Sequence, residues 1–307
     1  MKIVSLLPSA TEILFALGLG DQVVAVSHEC DYPSDASNRP VLTKSALHQK
    51  IHDSSQVDRE VNQRRGDLYE IDEKMLEKLQ PDLILTQELC AVCAVSYTKV
   101  KEAARVLDAD AKIVSLEPSS LEDIVDNILL VGKITAKSEQ SQDLASRMLE
   151  TIDRVKKSTL NVESRPRVFF MEWLQPPWAG GHWIPQMVDY AGGVDGVGRI
   201  GQPSHRIEWR EVVEYRPEII VLSPCGFDLQ GVLGQLRELS SYPGWANIPA
   251  FKSNNIFAVN ASAYFSRPGP RIVNGLELLA QIIHPELFPR TGSADDMKRV
   301  DLDFLKA

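Results

Sequence analysis

The chain has 307 residues, a formal net charge of -9 at pH 7, and hydrophobic and charged fractions of 44% and 24%. That length exceeds the usual single domain, so two lobes, each with its own core, are expected. The acidic balance offers no basic stripe for a phosphate backbone, which argues against a nucleic-acid partner, and no apolar run reaches the roughly 18 residues of a membrane helix. Met1-Lys2-Ile3-Val4-Ser5-Leu6 passes straight into a strand and a helix with no small-residue cleavage site, so the expected location is cytoplasmic. Thiols stay reduced in that compartment, and the four Cys then read as metal ligands or plain thiols more than as disulfides.

Residues 2–7 read as an apolar strand ended by Pro8, and Ser9-Ala10-Thr11-Glu12 as a capping box that opens a helix over 11–17, stopped by Gly18 and Gly20. A second strand, 23–26, runs directly into Ser27-His28-Glu29-Cys30-Asp31-Tyr32-Pro33. The polar stretch 34–66 is expected to be irregular or short-helical. A helix at about 72–79, apolar at Met75, Leu76 and Leu79, precedes a strand over 82–86 that reads as buried in a parallel sheet. That strand delivers Gln87-Glu88-Leu89-Cys90 and then Cys93. A helix over 97–107 and a strand over 112–116 follow, and here the opening recurs: Lys2-Ile3-Val4-Ser5-Leu6-Leu7-Pro8-Ser9 is matched by Lys112-Ile113-Val114-Ser115-Leu116-Glu117-Pro118-Ser119. Ser119-Ser120-Leu121-Glu122 reads as a second capping box. Whether the match is chance or more than shared geometry, it marks βα units and hence a parallel sheet.

After a helix over 121–130, residues 138–157 place Leu144, Met148, Ile152 and Val155 on one stripe of a rod roughly 30 Å long. The βα pattern restarts beyond it, with strands at 167–171, 218–222 and 255–259 and helices near 185–191, 208–214 and 229–239, the first closed by Gly192-Gly193. The expected fold class is α/β: two parallel-sheet, Rossmann-like lobes joined by one long helix, with a ligand cleft between them. The expected boundaries are 1–136 for the first lobe, 137–160 for the helix and 161–307 for the second lobe.

Ligands of open α/β sheets bind outside the carboxyl ends of the strands. In the first lobe those ends present Ser9, His28-Glu29-Cys30, Glu88 with Cys90 and Cys93, and Glu117. In the second they present Glu172-Trp173, Cys225 to Phe227, and Tyr264, with Trp178, His182 and Trp183 on the loop after Trp173. Cys90 and Cys93 have metal-ligand spacing on a turn, although two small buried thiols fit the same pattern. A partly exposed thiolate beside His28 and helix N-termini would carry a lowered pKa. His182 could reach a ligand from the second lobe or be a plain loop histidine. Large rings at strand ends suit a broad apolar ligand, and interlobe packing is the other reading of Trp173, Trp178, Trp183 and Tyr264. Arg267 and Arg271 flank Pro268-Gly269-Pro270 before the final helix, a place for an anion or for a structural carboxylate. Neither a Ser-His-Asp constellation, nor a phosphate loop, nor a dinucleotide fingerprint is found, and no residue is assigned a catalytic role.

Ile3-Val4-Ser5-Leu6 with Pro8-Ser9-Ala10-Thr11-Glu12-Ile13-Leu14, Pro81-Asp82-Leu83-Ile84, Gly192-Gly193, and Arg267-Pro268-Gly269-Pro270-Arg271 leading to His284-Pro285-Glu286 carry a resemblance. With them the chain resembles the substrate-binding proteins of ABC importers in the class with a rigid interlobe helix, most closely the cobalamin- and iron-chelate-binding branch. His28-Glu29-Cys30 and Cys90-x-x-Cys93 lie outside the general pattern and resemble a signal-less, predicted cobalamin-binding subgroup; the stretch 43–66 is longer than the corresponding family loop. The resemblance implies a binding protein for a corrinoid or related metal chelate held between the lobes, with cobalamin or another corrinoid as ligand and an ABC permease as partner. The alternative is a cytoplasmic metalloenzyme or metal-binding protein. In it Cys30, Cys90, Cys93 and Cys225, with His28, would hold zinc or iron, and Glu29 or Glu88 would act as base.

Overall fold

The computed structural model describes residues 1–46, 54–64, 68–87, 97–108, 111–289 and 295–301. The first half contains β1 (Ile3–Ser5), β2 (Val23–Val26), β3 (Thr43–Ser45), β4 (Tyr69–Ile71), β5 (Leu83–Thr86) and β6 (Lys112–Ser115). β1, β2, β5 and β6 form a parallel sheet in the order β2-β1-β5-β6, while β3 and β4 make a separate antiparallel pair. Ile3, Val4, Ile84 and Leu85 are fully buried, as expected of strands covered on both faces.

The second half contains β7 (Val168–Trp173), β8 (Trp178–Ala179), β9 (His205–Arg206), β10 (Ile219–Leu222), β11 (Ile256–Val259) and β12 (Met297–Arg299) in the order β12-β11-β10-β7-β8-β9. The inner strands β11, β10 and β7 run parallel, whereas β12, β8 and β9 are antiparallel additions at the edges. Strands this short carry too little alternation to show in a sequence.

Between the two sheets in the chain runs the helix Ser138–Thr159, which buries Leu144, Met148, Ile152 and Val155. It packs on the helix Leu121–Ile134 of the first half and on the helices Ile184–Tyr190 and Ile272–Ile283 of the second. Gly132 lets the first pair approach, since a Cβ there would stand 2.0 Å from Ser141 Oγ. One apolar core, including Ile13, Ile128, Met148, Met187 and Leu279, passes through all of these helices, so both halves share it. Gly192, at φ 83°, ends the helix Ile184–Tyr190 as expected, and the buried His284 sits beside it with Nε2 3.2 Å from the Gly192 carbonyl oxygen.

The capping boxes differ from expectation. The first helix, Pro8–Ala16, begins earlier because Pro8 pre-sets the helical φ at its first position; Ser9 falls inside it and Glu12 turns to a distant arginine. In the second, Ser120 accepts the Asp123 N–H at 3.1 Å, one residue along from the expected pairing. Among the described residues of 34–66 are the expected short helical pieces, a 3₁₀ turn at Ser34–Asn38 and the helix Ser54–Arg64, together with strand β3, which was not expected.

Candidate functional site

Because the parallel strands of each sheet point one way, the carboxyl ends of six of them meet at a cavity of about 170 Å³. Ser9 follows β1, Glu29 follows β2 and Gln87 follows β5; Trp173 ends β7, Cys225 and Phe227 follow β10, and Ser262, Ser266, Arg267 and Pro268 follow β11. Ser45 of β3, Val57 of the helix Ser54–Arg64 and Tyr69 of β4 add to the wall. The Trp173 and Phe227 rings meet edge to face with centroids 5.9 Å apart. The Trp173 indole N–H donates to the Ser54 carbonyl at 3.1 Å.

His28 stands behind Glu29. Its Nδ1 lies 2.7 Å from Thr43 Oγ1, which also accepts the His28 backbone N–H at 3.1 Å, and its Nε2 lies 3.3 Å from Glu29 Oε1. The contact with His28 outweighs burial and holds the Glu29 carboxyl below its usual range. His28 thus orients an acid that faces the cavity.

The arginines resolve in favour of carboxylate partners. Arg267 pairs with both Asp31 oxygens and donates to the Glu29 carbonyl at 3.1 Å, while still touching the cavity. Arg271 donates Nε to Glu12 Oε2 at 2.9 Å and a terminal NH₂ to Oε1 at 2.6 Å, with its guanidinium 3.9 Å from the Tyr32 ring centre. Burial pushes the Glu12 carboxyl up, and the Arg271 hydrogen bonds pull it back only in part. Arg271 is therefore committed to a buried ion pair between the lobes and is corrected from a ligand contact.

Other expected contacts also fall elsewhere. Trp183 is buried in the shared core, where its indole N–H donates to the Phe265 carbonyl at 3.0 Å. The Tyr264 hydroxyl donates to Asp296 at 2.7 Å, and the exposed Glu117 accepts from Ser115 Oγ at 2.6 Å. Trp178 is held across from Arg206 by β8 and β9. His182, at φ 48°, tilts against Trp183, and burial lowers its pKa. Neither Trp178, His182 nor Glu172 contributes to the cavity wall.

Cys30 is corrected as a reactive ligand thiolate. It is 6% exposed, lies 3.1 Å from Thr11 Oγ1 and 3.2 Å from Ser27 Oγ, and burial pushes its thiol up. Cys225 lines the cavity, whereas Cys90, Cys93 and Glu88 lie outside the described residues. Among the described residues no group of three or more His, Cys, Asp and Glu could hold a metal ion.

The helix Ser54–Arg64 was not legible as part of the site. Val57 and Val61 at helical spacing are its one sequence signal, and Val57 does reach the cavity.

Residues 3–263 match the family described as periplasmic binding protein. A vitamin B12-binding protein of Vibrio parahaemolyticus is 25% identical over 278 residues, which is 90% of this chain and 86% of that one. An uncharacterized ABC transporter substrate-binding lipoprotein of Bacillus subtilis is 25% identical over 297 residues, 94% of this chain and 81% of its own. The crystal structure of a periplasmic vitamin B12 binding protein of Vibrio cholerae aligns with TM-score 0.67 at 22% identity, covering 94% of this chain and 98% of that one. These findings overturn the cytoplasmic expectation, since the relatives are periplasmic or lipoprotein substrate-binding proteins; reduced thiols and the run of Met1 into a strand do not report on compartment. Among the described residues no helix is long and apolar enough to cross a membrane. The match over residues 3–263 and the two-sheet fold with its cleft agree, and the chain belongs to the periplasmic binding protein family.

Proposed function

We propose that this protein holds a corrinoid, cobalamin-like, or a related metal chelate in the cleft between its lobes and presents it to an ABC permease. The observation that carries this reading is the aromatic wall of Trp173 and Phe227 facing a few polar groups, Ser9, Glu29, Gln87 and Arg267. Flat rings give a macrocycle its contact area, and scattered polar groups meet its polar side chains. The name of the Vibrio parahaemolyticus relative supports the ligand class, and that of the Bacillus subtilis relative supports the permease. Ser9, Glu29, Trp173, Cys225, Phe227 and Arg267 are the proposed ligand contacts, with His28 as a positioning residue.

The proposal divides the chain into lobes 1–136 and 161–307 with 137–160 as a rigid spacer. No Pro or Gly interrupts Ser138–Thr159, and an unbroken hydrogen-bonded rod resists bending. Equilibrium dialysis against cyanocobalamin, cobinamide and haemin, read by absorbance, tests the function. Saturable retention of a corrinoid at one per chain is expected. No retention of any of these at millimolar concentration, or stoichiometric zinc with no chelate bound, would overturn it.

A further inference from the structure

The cleft holds two buried polar side chains with no hydrogen-bond partner among the described residues. Ser9 is 2% exposed and Gln87 6% exposed, and both line the cavity of about 170 Å³. They come from neighbouring strands: β1 pairs with β5, Ser5 opposite Leu85, and Ser9 and Gln87 follow the carboxyl ends of the two. Burying a hydroxyl and a carboxamide without partners costs free energy, and native proteins leave few such groups. Here both belong to a cavity wall, so a bound molecule can complete them.

What completes them is set by their donors and acceptors. A glutamine carboxamide offers two N–H donors and an acceptor oxygen, and a serine hydroxyl offers one donor and two lone pairs. A primary amide matches both, giving an N–H to Gln87 Oε1 and accepting an N–H or O–H on its own oxygen. A carboxylate has no donor at neutral pH and would leave the Gln87 oxygen bare. Charge points the same way. Among the described residues, Glu29 and Arg267 are the charged members of the wall. His28 keeps the Glu29 carboxyl ionised, while Arg267 is already neutralised by Asp31 and donates to the Glu29 carbonyl. A ligand carboxylate would therefore meet an ionised acid and no spare guanidinium.

We infer that Ser9 and Gln87 form a specificity subsite for neutral primary amides, which selects an amide-bearing corrinoid over a carboxylate-bearing chelate such as haem. This rests on the proposed function for the macrocycle and narrows its ligand class. Trp173 and Phe227 give contact area to any flat ring system, so discrimination falls to the polar groups. A site built to hydrogen-bond one group rejects an analogue without it strongly, because its own buried polar atoms are then stranded.

Cobinamide and cobyrinic acid share the corrin and its cobalt and differ in carrying amides or free carboxylates. Titrations read by tryptophan quenching should show wild type binding cobinamide at least about a hundredfold more tightly than cobyrinic acid or haemin. Gln87→Leu should weaken cobinamide about tenfold and Ser9→Ala about threefold, with cobyrinic acid changed by less than about twofold in either. In a second measurement, the Gln87 side-chain NH₂ resonance, assigned by its loss in Gln87→Leu, should shift with millimolar propionamide and stay in place with propionate. The subsite is overturned if wild type binds cobyrinic acid or haemin as tightly as cobinamide, or if the variants lose affinity equally for all three. If no macrocycle binds and the Gln87 resonance still answers propionamide alone, the corrinoid reading falls and the subsite stands. Tight cobinamide binding without discrimination and without a response to propionamide does the reverse.

Discussion

Arg267 and Arg271 enter the first lobe and meet Asp31 and Glu12, and the Glu12 side chain is only 3% exposed, over a core that both lobes share. Near the mouth of the cleft Ser54, a neutral residue, crosses to Gln235 and Glu238. The difference lies in what each seam loses on opening. Separating a buried guanidinium from its carboxylate strands both charges, whereas a serine and a glutamine amide trade their bonds for water at little net cost. Breaking the buried ion pair should therefore cost more than breaking the Ser54 contacts with Gln235.

The largest effect should come from the charged seam. Arg271→Ala leaves Glu12 buried and unpaired, and chemical denaturation should show a loss of about 3–5 kcal/mol. Replacing both partners with apolar residues of similar size should recover much of it. A loss below about 1 kcal/mol would mean that Arg271 does not hold the lobes together.

Asp195 tests the same rule from the other direction, as a half-buried carboxylate, its Oδ2 buried, with no guanidinium partner among the described residues. Its Oδ1 accepts from the Val197 and Gly198 N–H groups at 3.1 and 2.7 Å, its Oδ2 is buried with no hydrogen-bond partner among the described residues, and burial pushes its pKa up to about 6. A folded pKa above the unfolded one favours the protonated native state. Its contribution to stability is therefore fully present below about pH 4 and is lost as pH rises through about 6, a full swing of roughly 3 kcal/mol, of which about 2 falls between pH 4.5 and 7.5. Asp195→Asn should remove that swing from paired denaturation curves at pH 4.5 and 7.5, and an unchanged pH profile would show that the carboxyl is solvated.

At the neutral seam, Gln235→Ala should cost only about 1 kcal/mol of global stability. A cost matching that of Arg271→Ala would erase the contrast between the seams. The smallest effect concerns reactivity. Mass mapping after brief alkylation at neutral pH should find Cys225, on the cavity wall, labelled before Cys30, whose thiol is buried and pushed up. Equal labelling would show that the Cys30 region opens as readily as the mouth.

Much of the fold was legible because the seven parallel strands are short apolar runs, and β1, β6, β10 and β11 each lead into a helix. The cleft followed from topology, since strand ends place Ser9, Glu29, Trp173, Cys225, Phe227 and Arg267 at one edge whatever their pairings. What stayed hidden depends on how the lobes dock. Glu12 and Arg271 stand 259 residues apart in sequence, and Ser54 and Gln235 stand 181 apart. Trp183 looked like its neighbours on the loop, yet as the N-cap residue of the helix Ile184–Tyr190 it turns its ring inward to Phe265. The capping boxes misled for a local reason: Pro8 starts its helix early, so Glu12 is left to pair across the seam.

Whether a broad ligand packs on Trp173 inside the cleft is read by a fluorescence titration with cobinamide on wild type and Trp173→Ala. Binding to wild type should quench tryptophan emission, and Trp173→Ala should bind about ten- to a hundredfold more weakly. Equal affinity for the two proteins would contradict it and return Trp173 to a packing role between the lobes.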